Sequence, residues 1–146
     1  MLALAIHPDE RNDLDALARN GWILLDPARL AGTPREYQEF ISRSKAEFGI
    51  AKSGYVASRC GWFSDRSACY LACGRPVLAQ DTGFAAFLPC GEGLFSFTTT
   101  DDALAGIESI NGDYARHARA ARSIAVEYFD SRTVLSKIFR AIGLSA

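Results

Sequence analysis

Residues 61–77 have the sequence GWFSDRSACYLACGRPV, in which a loop, a helix and the start of a strand follow one another. Ser64 is suited to N-cap a helix, because its hydroxyl can accept from the free N–H groups of a first turn. Gly74 suits the end of that helix, since glycine readily adopts the left-handed conformation found there. A β-type run follows at residues 76–80, with Val77, Leu78 and Ala79 at its centre. This order predicts a helix from Ser64 to Cys73 that leads directly into a strand.

Outward from this stretch, apolar runs of strand length alternate with helical patterns. The predicted strands are residues 2–6, 22–25, 48–51, 76–80 and 94–97. The predicted helices begin at Pro8–Asp9, at the capping box of Thr33 and Glu36, at Ser64, after Asp81–Gly83, at Thr99 with Asp102, at Tyr114 and at Val134. The alternation predicts an α/β fold, a Rossmann-like three-layer domain with a parallel sheet and helices on both faces.

Two of these predictions are specific enough to check at single residues. Leu104, Ile107 and Ile110 are expected to form the buried stripe of the helix that begins at Thr99. Residues 52–63 mix glycines, aromatics and basic residues without a clear period, and they are expected to form a loop.

The length and charge of the chain limit what it can be. A chain of 146 residues suits one domain spanning residues 1–146. With 16 Lys and Arg against 17 Asp and Glu, it lacks the basic excess of an extended nucleic-acid or anionic-membrane surface, so any phosphate site is local. No apolar run has the roughly 20 residues of a membrane span, and residues 1–6 lack the features of a secretory signal. A cytoplasmic location is therefore expected.

The cysteine and histidine residues do not indicate a metal site. The spacing of the four cysteines matches neither paired CxxC motifs nor a disulfide framework: Cys60, Cys69, Cys73 and Cys90. Buried thiols and no bound metal are expected. A small enzyme with Cys69 or Cys73 as nucleophile remains an alternative, although neither His7 nor His117 is identifiably placed to activate a thiol.

The C-terminal ends of the parallel strands are the expected ligand site, because open α/β sheets bind ligands in the crevice beyond that edge. Three segments converge there: residues 52–66, 81–84 and 98–101. The first of them leads into a helix N-terminus, whose free N–H groups and macrodipole favour a phosphate. Arg66, in the first turn, can add a charge-assisted contact.

The candidate residues for binding a diphosphate come from two of these segments: Lys52, Arg59, Ser64, Asp65, Arg66, Thr82, Gly83 and Phe84. Each has a simpler interpretation. Ser64 and Asp65 can merely cap the helix, with Arg66 paired to a surface carboxylate. Lys52 and Arg59 can be solvated loop charges, and residues 81–84 can be an ordinary βα turn. Aromatic residues nearby can stack on a base or sugar, or else fill the core: Trp62, Phe63, Phe84 and Phe87.

Taken together, residues 61–77, 80–84 (QDTGF) and 88–94 (LPCGEGL) resemble the C-terminal domain of retaining GT-B glycosyltransferases. The string LACGRPV at residues 71–77 is the most specific part. It resembles the passage from the donor-binding helix into the next strand of that family, Glu-Ala-hydrophobic-Ala-(Cys or Ser)-Gly-x-Pro-Val. The resemblance covers about residues 48–144.

The resemblance implies the C-terminal half of a GT-B fold that binds a nucleoside diphosphate-sugar donor without a metal or other cofactor. Acceptor binding and part of the catalytic machinery would come from a separate N-terminal domain or subunit. By matching position, Arg66 resembles a basic residue of the donor-binding helix, and residues 82–84 resemble the turn that faces the donor. The paired glutamates of the family fall on Gly61 and Cys69, so no catalytic residue is assigned.

This departure leaves a second interpretation open, a degenerate non-catalytic binding or assembly module with the same fold. A short parallel sheet also leaves an open strand edge, which natural proteins cover or pair. Self-association into a homo-oligomer is therefore expected.

Overall fold

In the computed structural model, which describes residues 2–3 and 11–144, the chain divides into two units between Arg43 and Ser44. The first unit contains β1 (Leu2–Ala3), α1 (Arg11–Arg19), β2 (Leu24–Leu25), α2 (Pro27–Leu30) and α3 (Pro34–Arg43). The second contains β3 (Glu47–Gly49), α4 (Ser53–Ser58), α5 (Asp65–Ala72), β4 (Val77–Gln80), a 3-10 turn (Phe84–Ala86), β5 (Leu94–Phe97), α6 (Thr100–Gly112), α7 (Tyr114–Tyr128) and α8 (Ser131–Ala141). Strands alternate with helices in both units, as the sequence predicts.

The first unit is a short βαβ arrangement followed by two helices. Its strands are parallel, with Leu2 opposite Leu24. The predicted strand at residues 22–25 is only two residues long, because Trp22 and Ile23 lie outside the pairing and are exposed. The predicted start of the first helix, at Pro8–Asp9, lies outside the described residues.

The predicted capping box of α3 is confirmed. The Thr33 N–H donates to the Glu36 carboxylate at 2.9 Å, and the Glu36 N–H donates to the Thr33 hydroxyl at 3.2 Å. Pro34 occupies the first position of the helix, where its missing N–H costs nothing. Because these contacts span only three residues, the local sequence is enough to place the helix start.

The second unit is built on a three-stranded parallel sheet in the order β3-β4-β5. Phe48, Leu78 and Phe95 lie side by side across it. The helix α6 packs on the face that carries Leu78, while α5 and α7 pack on the opposite face. The predicted parallel α/β architecture with helices on both faces is therefore confirmed for this unit. The five strands form two separate sheets in the described part of the chain, rather than one.

The buried face of α6 differs from the predicted stripe. Leu104 and Ile107 are about half exposed, whereas Gly106 and Ile110 are buried. The physical reason is close approach: a Cβ at Gly106 would lie 2.8 Å from a methyl carbon of Leu78 on β4. A helix this close to the sheet turns its small residues toward the sheet. The larger apolar residues Leu104 and Ile107 are therefore left on the exposed side of α6.

His117 is buried and connects three elements of the second unit. Its Nδ1 accepts a hydrogen bond from the Gly93 N–H at 3.3 Å, and its Nε2 lies 3.2 Å from the Ser109 hydroxyl. The ring also packs edge-on against Phe95. His117 thereby joins α7 to α6 and to the start of β5.

The capping box of α6 is also confirmed, and it predicts a pH-dependent stability. The Asp102 carboxylate accepts from the N–H groups of Thr98 and Thr99 at 3.0 and 2.9 Å, and these bonds hold the pKa of Asp102 well below its ordinary value. A carboxyl with a lowered pKa stabilises the folded state fully above its unfolded pKa of about 4, and this contribution is lost as the pH falls further. We expect Asp102→Ala to lower the melting temperature at neutral pH, and the deficit to shrink below about pH 4.

Thermal melts across this pH range, followed by circular dichroism, check the prediction. Asp101→Ala is the matched control, because Asp101 is an exposed acid in the same first turn. A deficit for Asp102→Ala that stays constant from neutral to acid pH would contradict the assigned role.

Among residues 2–3 and 11–144, no helix is both long and apolar enough to cross a membrane.

Candidate functional site

The segment expected to be a loop contains the short helix α4, so that prediction is wrong for residues 53–58. Serine, glycine and valine give this helix a weak intrinsic propensity. It forms because the N–H groups of Tyr55 and Val56 bond to the Lys52 carbonyl and both side chains are partly buried. Lys52 lies at its N-terminus and is exposed. Arg59 ends it in the left-handed conformation, with φ of 47°.

The loop before α5 is hydrogen-bonded onto the turn that follows β4. The Gly61 N–H donates to the Thr82 carbonyl at 2.8 Å, and the Thr82 hydroxyl donates to the Trp62 carbonyl at 2.5 Å. The Arg59 guanidinium pairs with the Asp81 carboxylate at 3.2 Å. Two of the segments expected to converge at the strand ends are thus held together by backbone, hydroxyl and charge contacts.

Gly83 allows this close approach. Its φ is 98°, and a Cβ would lie 2.8 Å from the Arg59 carbonyl oxygen. The backbone of the loop therefore occupies the space beside this glycine. The Gly83 N–H donates to the Asp81 carboxylate at 2.9 Å, so this amide is engaged within the protein.

The N-terminus of α5 carries a carboxylate of its own. The Arg66 N–H donates to the Asp65 carboxylate at 2.8 Å, whereas the N-cap residue Ser64 is buried and makes no side-chain capping bond. A negative side chain therefore lies where the helix dipole favours an anion.

The Arg66 side chain is paired with a buried acid that the sequence analysis missed. Its Nε donates to the Glu47 carboxylate at 2.6 Å. The Glu47 side chain on β3 is only 4% exposed, whereas that of Arg66 is 47% exposed. The second carboxylate oxygen of Glu47 is buried and has no hydrogen-bond partner among the described residues. The sequence signal that could have identified Glu47 is an acidic residue in an otherwise apolar strand. Glu47 also lies two residues before Gly49, on the same face of that strand.

Beyond the C-terminal ends of β3 and β4 lies a small open cleft with a volume of about 10 Å³. Its walls include Gly49, Trp62, Ser64, Arg66 and Gln80. The volume is enough for about one water molecule. A nucleotide would therefore have to lie across the mouth of this cleft, where Trp62 and Arg66 are partly exposed.

The aromatic residues near the cleft divide into core and surface. Phe84 is buried against Phe63, with ring centroids 5.2 Å apart. By contrast, Trp62 is 39% exposed and stacks on Tyr55 at 5.0 Å, and Phe87 is 69% exposed. Of the aromatic candidates, Trp62 and Phe87 are the two that a ligand can reach.

The predicted site residues likewise differ in accessibility. The side chains of Lys52, Arg59, Asp65 and Arg66 are exposed at this end of the sheet. Those of Ser64, Thr82 and Phe84 are buried, with Gly83 between the last two. The charged candidates are thus the ones that can contact a ligand, while the others support the loop and the turn.

The cysteines are more exposed than predicted. Cys60, Cys69 and Cys90 are exposed and Cys73 is intermediate, so the expectation of buried thiols is wrong. On α5 the reason is that Ser67, Tyr70 and Leu71 take the buried face. Partial desolvation, with repulsion from the Asp65 carboxylate, raises the pKa of the Cys69 thiol. A raised pKa lowers the thiolate fraction and argues against Cys69 as a nucleophile.

In the part of the chain that the structure describes, no three His, Cys, Asp or Glu side chains are grouped as a metal site would require. No family model matches the chain, and neither the curated proteins nor the solved structures include one with significant similarity to it.

Proposed function

We propose that the chain is the nucleotide-sugar-binding domain of a glycosyltransferase of the GT-B type. It transfers a sugar from a nucleoside diphosphate-sugar to an acceptor when paired with an N-terminal acceptor-binding domain, in the cytoplasm. One observation carries the proposal: the loop before α5 is bonded onto the turn after β4, with Arg59 and Arg66 beside it at the ends of parallel strands. Ligands of open α/β sheets bind at this edge.

The two arginines are suited to a diphosphate at the mouth of the cleft. Arg66 pairs with Glu47 through its Nε, and its side chain is 47% exposed at the mouth of the cleft. Arg59 extends over Asp81 with its side chain 69% exposed. Positive charge held in place beforehand stabilises a departing diphosphate without a metal ion, as preorganised electrostatic catalysis requires. The exposed Trp62 adds a surface on which a base or sugar can stack.

A second candidate is a non-catalytic binding or assembly module with the same fold. Such a module would function as a homo-oligomer or together with another subunit. Three observations favour it. Asp65 places a carboxylate at the N-terminus of α5, and both arginines are already paired with acids. Gly61 and Cys69 stand where the resemblance places the donor-binding glutamates.

Calorimetric titration with uridine and guanosine diphosphates separates the two candidates. Under the first proposal, one of these nucleotides binds, and loss of the Arg66 side chain weakens binding by about 1.5–3 kcal/mol, the range for a hydrogen bond to a charged group. The variant should be made in a Glu47→Gln background, because Arg66 also compensates a buried charge. Arg119→Ala, an exposed arginine on α7, is the matched control.

No binding of any nucleoside diphosphate to the folded chain would reject the donor-binding function and favour the assembly module. Binding that is unchanged without Arg66 would keep the function and reject this residue as its anchor.

A further inference from the structure

The last helix, α8, is strongly two-sided. Its sequence SRTVLSKIFRA places apolar side chains at helical spacing along one arc: Val134, Leu135, Ile138, Phe139 and, at the C-cap, Ile142. The other arc carries Arg132, Lys137 and Arg140, and no acidic residue lies within the helix. The chain as a whole has a net charge of -1, so this positive charge is a local feature of α8.

Most of the apolar arc of α8 is exposed, although Val134 is partly buried. Leu135 and Ile138 are each 49% exposed, Phe139 is 39% exposed and Ile142 is 65% exposed. No residue of α8 is fully buried, in contrast to α7, which buries Ile124. A contiguous apolar surface of this kind on a folded protein marks an interaction site.

We propose that α8 docks on an anionic lipid surface. An amphipathic helix with Lys and Arg on its polar arc and Leu, Ile and Phe on the other lies in the plane of the membrane interface. Its apolar arc enters the boundary between headgroups and acyl chains, and the cations contact the anionic headgroups. This surface is separate from the cleft, so the inference does not depend on the proposed nucleotide site.

Charge complementarity favours lipid over a second copy of the chain. Two α8 helices that covered each other's apolar arcs would leave Arg132, Lys137 and Arg140 of both copies on the outer arcs, with no acid in either helix to pair with them. An anionic bilayer instead supplies the opposite charge along the whole helix. Each Lys or Arg near such a surface strengthens binding by about fivefold, so these three together contribute about 100-fold.

Co-sedimentation of the full chain with vesicles tests the proposal. We expect binding to phosphatidylcholine vesicles with about one third phosphatidylserine, and roughly 100-fold weaker binding to pure phosphatidylcholine vesicles. Binding to the mixed vesicles should fall as the salt concentration rises, since salt screens the headgroup charge. Equal binding to both vesicle types, or no binding to either, would overturn the proposal.

Variants assign the binding to α8. Ile138→Asp should abolish vesicle binding, because it puts a charge in the centre of the apolar arc. Leu104→Asp, a half-exposed apolar residue on α6, is the matched control and should bind as the unmodified chain does. Replacing both Lys137 and Arg140 with alanine should weaken binding to mixed vesicles by about 30-fold. Circular dichroism confirms that each variant is folded.

If Leu104→Asp reduced binding as much as Ile138→Asp, the assignment to α8 would be wrong. Light scattering without lipid provides the remaining comparison. The unmodified chain could form a dimer that Ile138→Asp converts to a monomer, and could fail to bind vesicles. These results together would show that the apolar arc binds a second copy of the chain instead.

Discussion

Alanine at Gly93 should lower the free energy of unfolding by roughly 3–4 kcal/mol. Gly93 has φ of 73°, and a Cβ would lie 2.3 Å from the Ala121 nitrogen and 2.7 Å from the Ala120 carbonyl carbon, both in the backbone of α7. Backbone atoms inside a helix cannot rotate away as a side chain can. The new methyl group must therefore push α7 from the sheet.

The displacement would also break contacts that Gly93 makes itself. Its carbonyl accepts from the Val77 N–H at 2.9 Å, and its N–H donates to His117 at 3.3 Å. These bonds join the start of β5 to β4 and to α7. The effect of Gly93→Ala should therefore extend to the sheet on which the cleft is built.

Urea denaturation of Gly93→Ala beside Gly143→Ala separates steric overlap from backbone strain. Gly143 has nearly the same φ, 77°, and a Cβ there meets no atom within 4 Å. Gly143→Ala should therefore cost only about 1 kcal/mol, the price of a left-handed non-glycine residue. Similar losses for the two variants would show that α7 is not held against Gly93 as described.

Loss of the Arg66 side chain should be the second large effect. Arg66→Ala leaves the Glu47 carboxylate buried without its partner, and the loss of one member of a buried pair costs about 3–5 kcal/mol. Because Arg66 is itself 47% exposed, water can reach part of the pair and reduce the cost. We expect a loss of about 2–3 kcal/mol in the free energy of unfolding.

A double variant tests this mechanism. Glu47→Gln removes the buried charge, so Arg66→Ala in that background should cost less than about 1 kcal/mol. The single variants, the double variant and the unmodified chain form a double-mutant cycle, measured by urea denaturation. Additive losses would mean that the two side chains do not interact, contrary to their 2.6 Å contact.

The same cycle controls the interpretation of nucleotide binding. Suppose that Arg66→Ala abolishes nucleotide binding only because the contact between β3 and α5 is lost. The Glu47→Gln protein would then bind the nucleotide equally well with and without the Arg66 side chain. If Arg66 contacts a diphosphate, binding weakens in both backgrounds. The stability and binding measurements together therefore distinguish a supporting role of Arg66 from a direct one.

The sequence by itself determined the features that depend on neighbouring residues. Thr33 with Glu36 and Thr99 with Asp102 form the predicted capping boxes. Such bonds span three or four residues, so the residue types alone specify them. The alternation of strands with helices determined the parallel α/β architecture for the same reason, because each element is recognisable locally.

Tertiary structure alone decided which faces are buried and which charges meet. The inward face of α6 follows from the close approach of Gly106 to Leu78, and α4 forms where its local propensity is weak. The pairing of Arg66 with Glu47 joins residues far apart along the chain and depends on how α5 lies against β3. No spacing rule in the sequence encodes such contacts, because they result from packing between elements. Residues 61–77 therefore specified a helix leading into a strand, and the packing around them decided that their arginine lies against a buried acid.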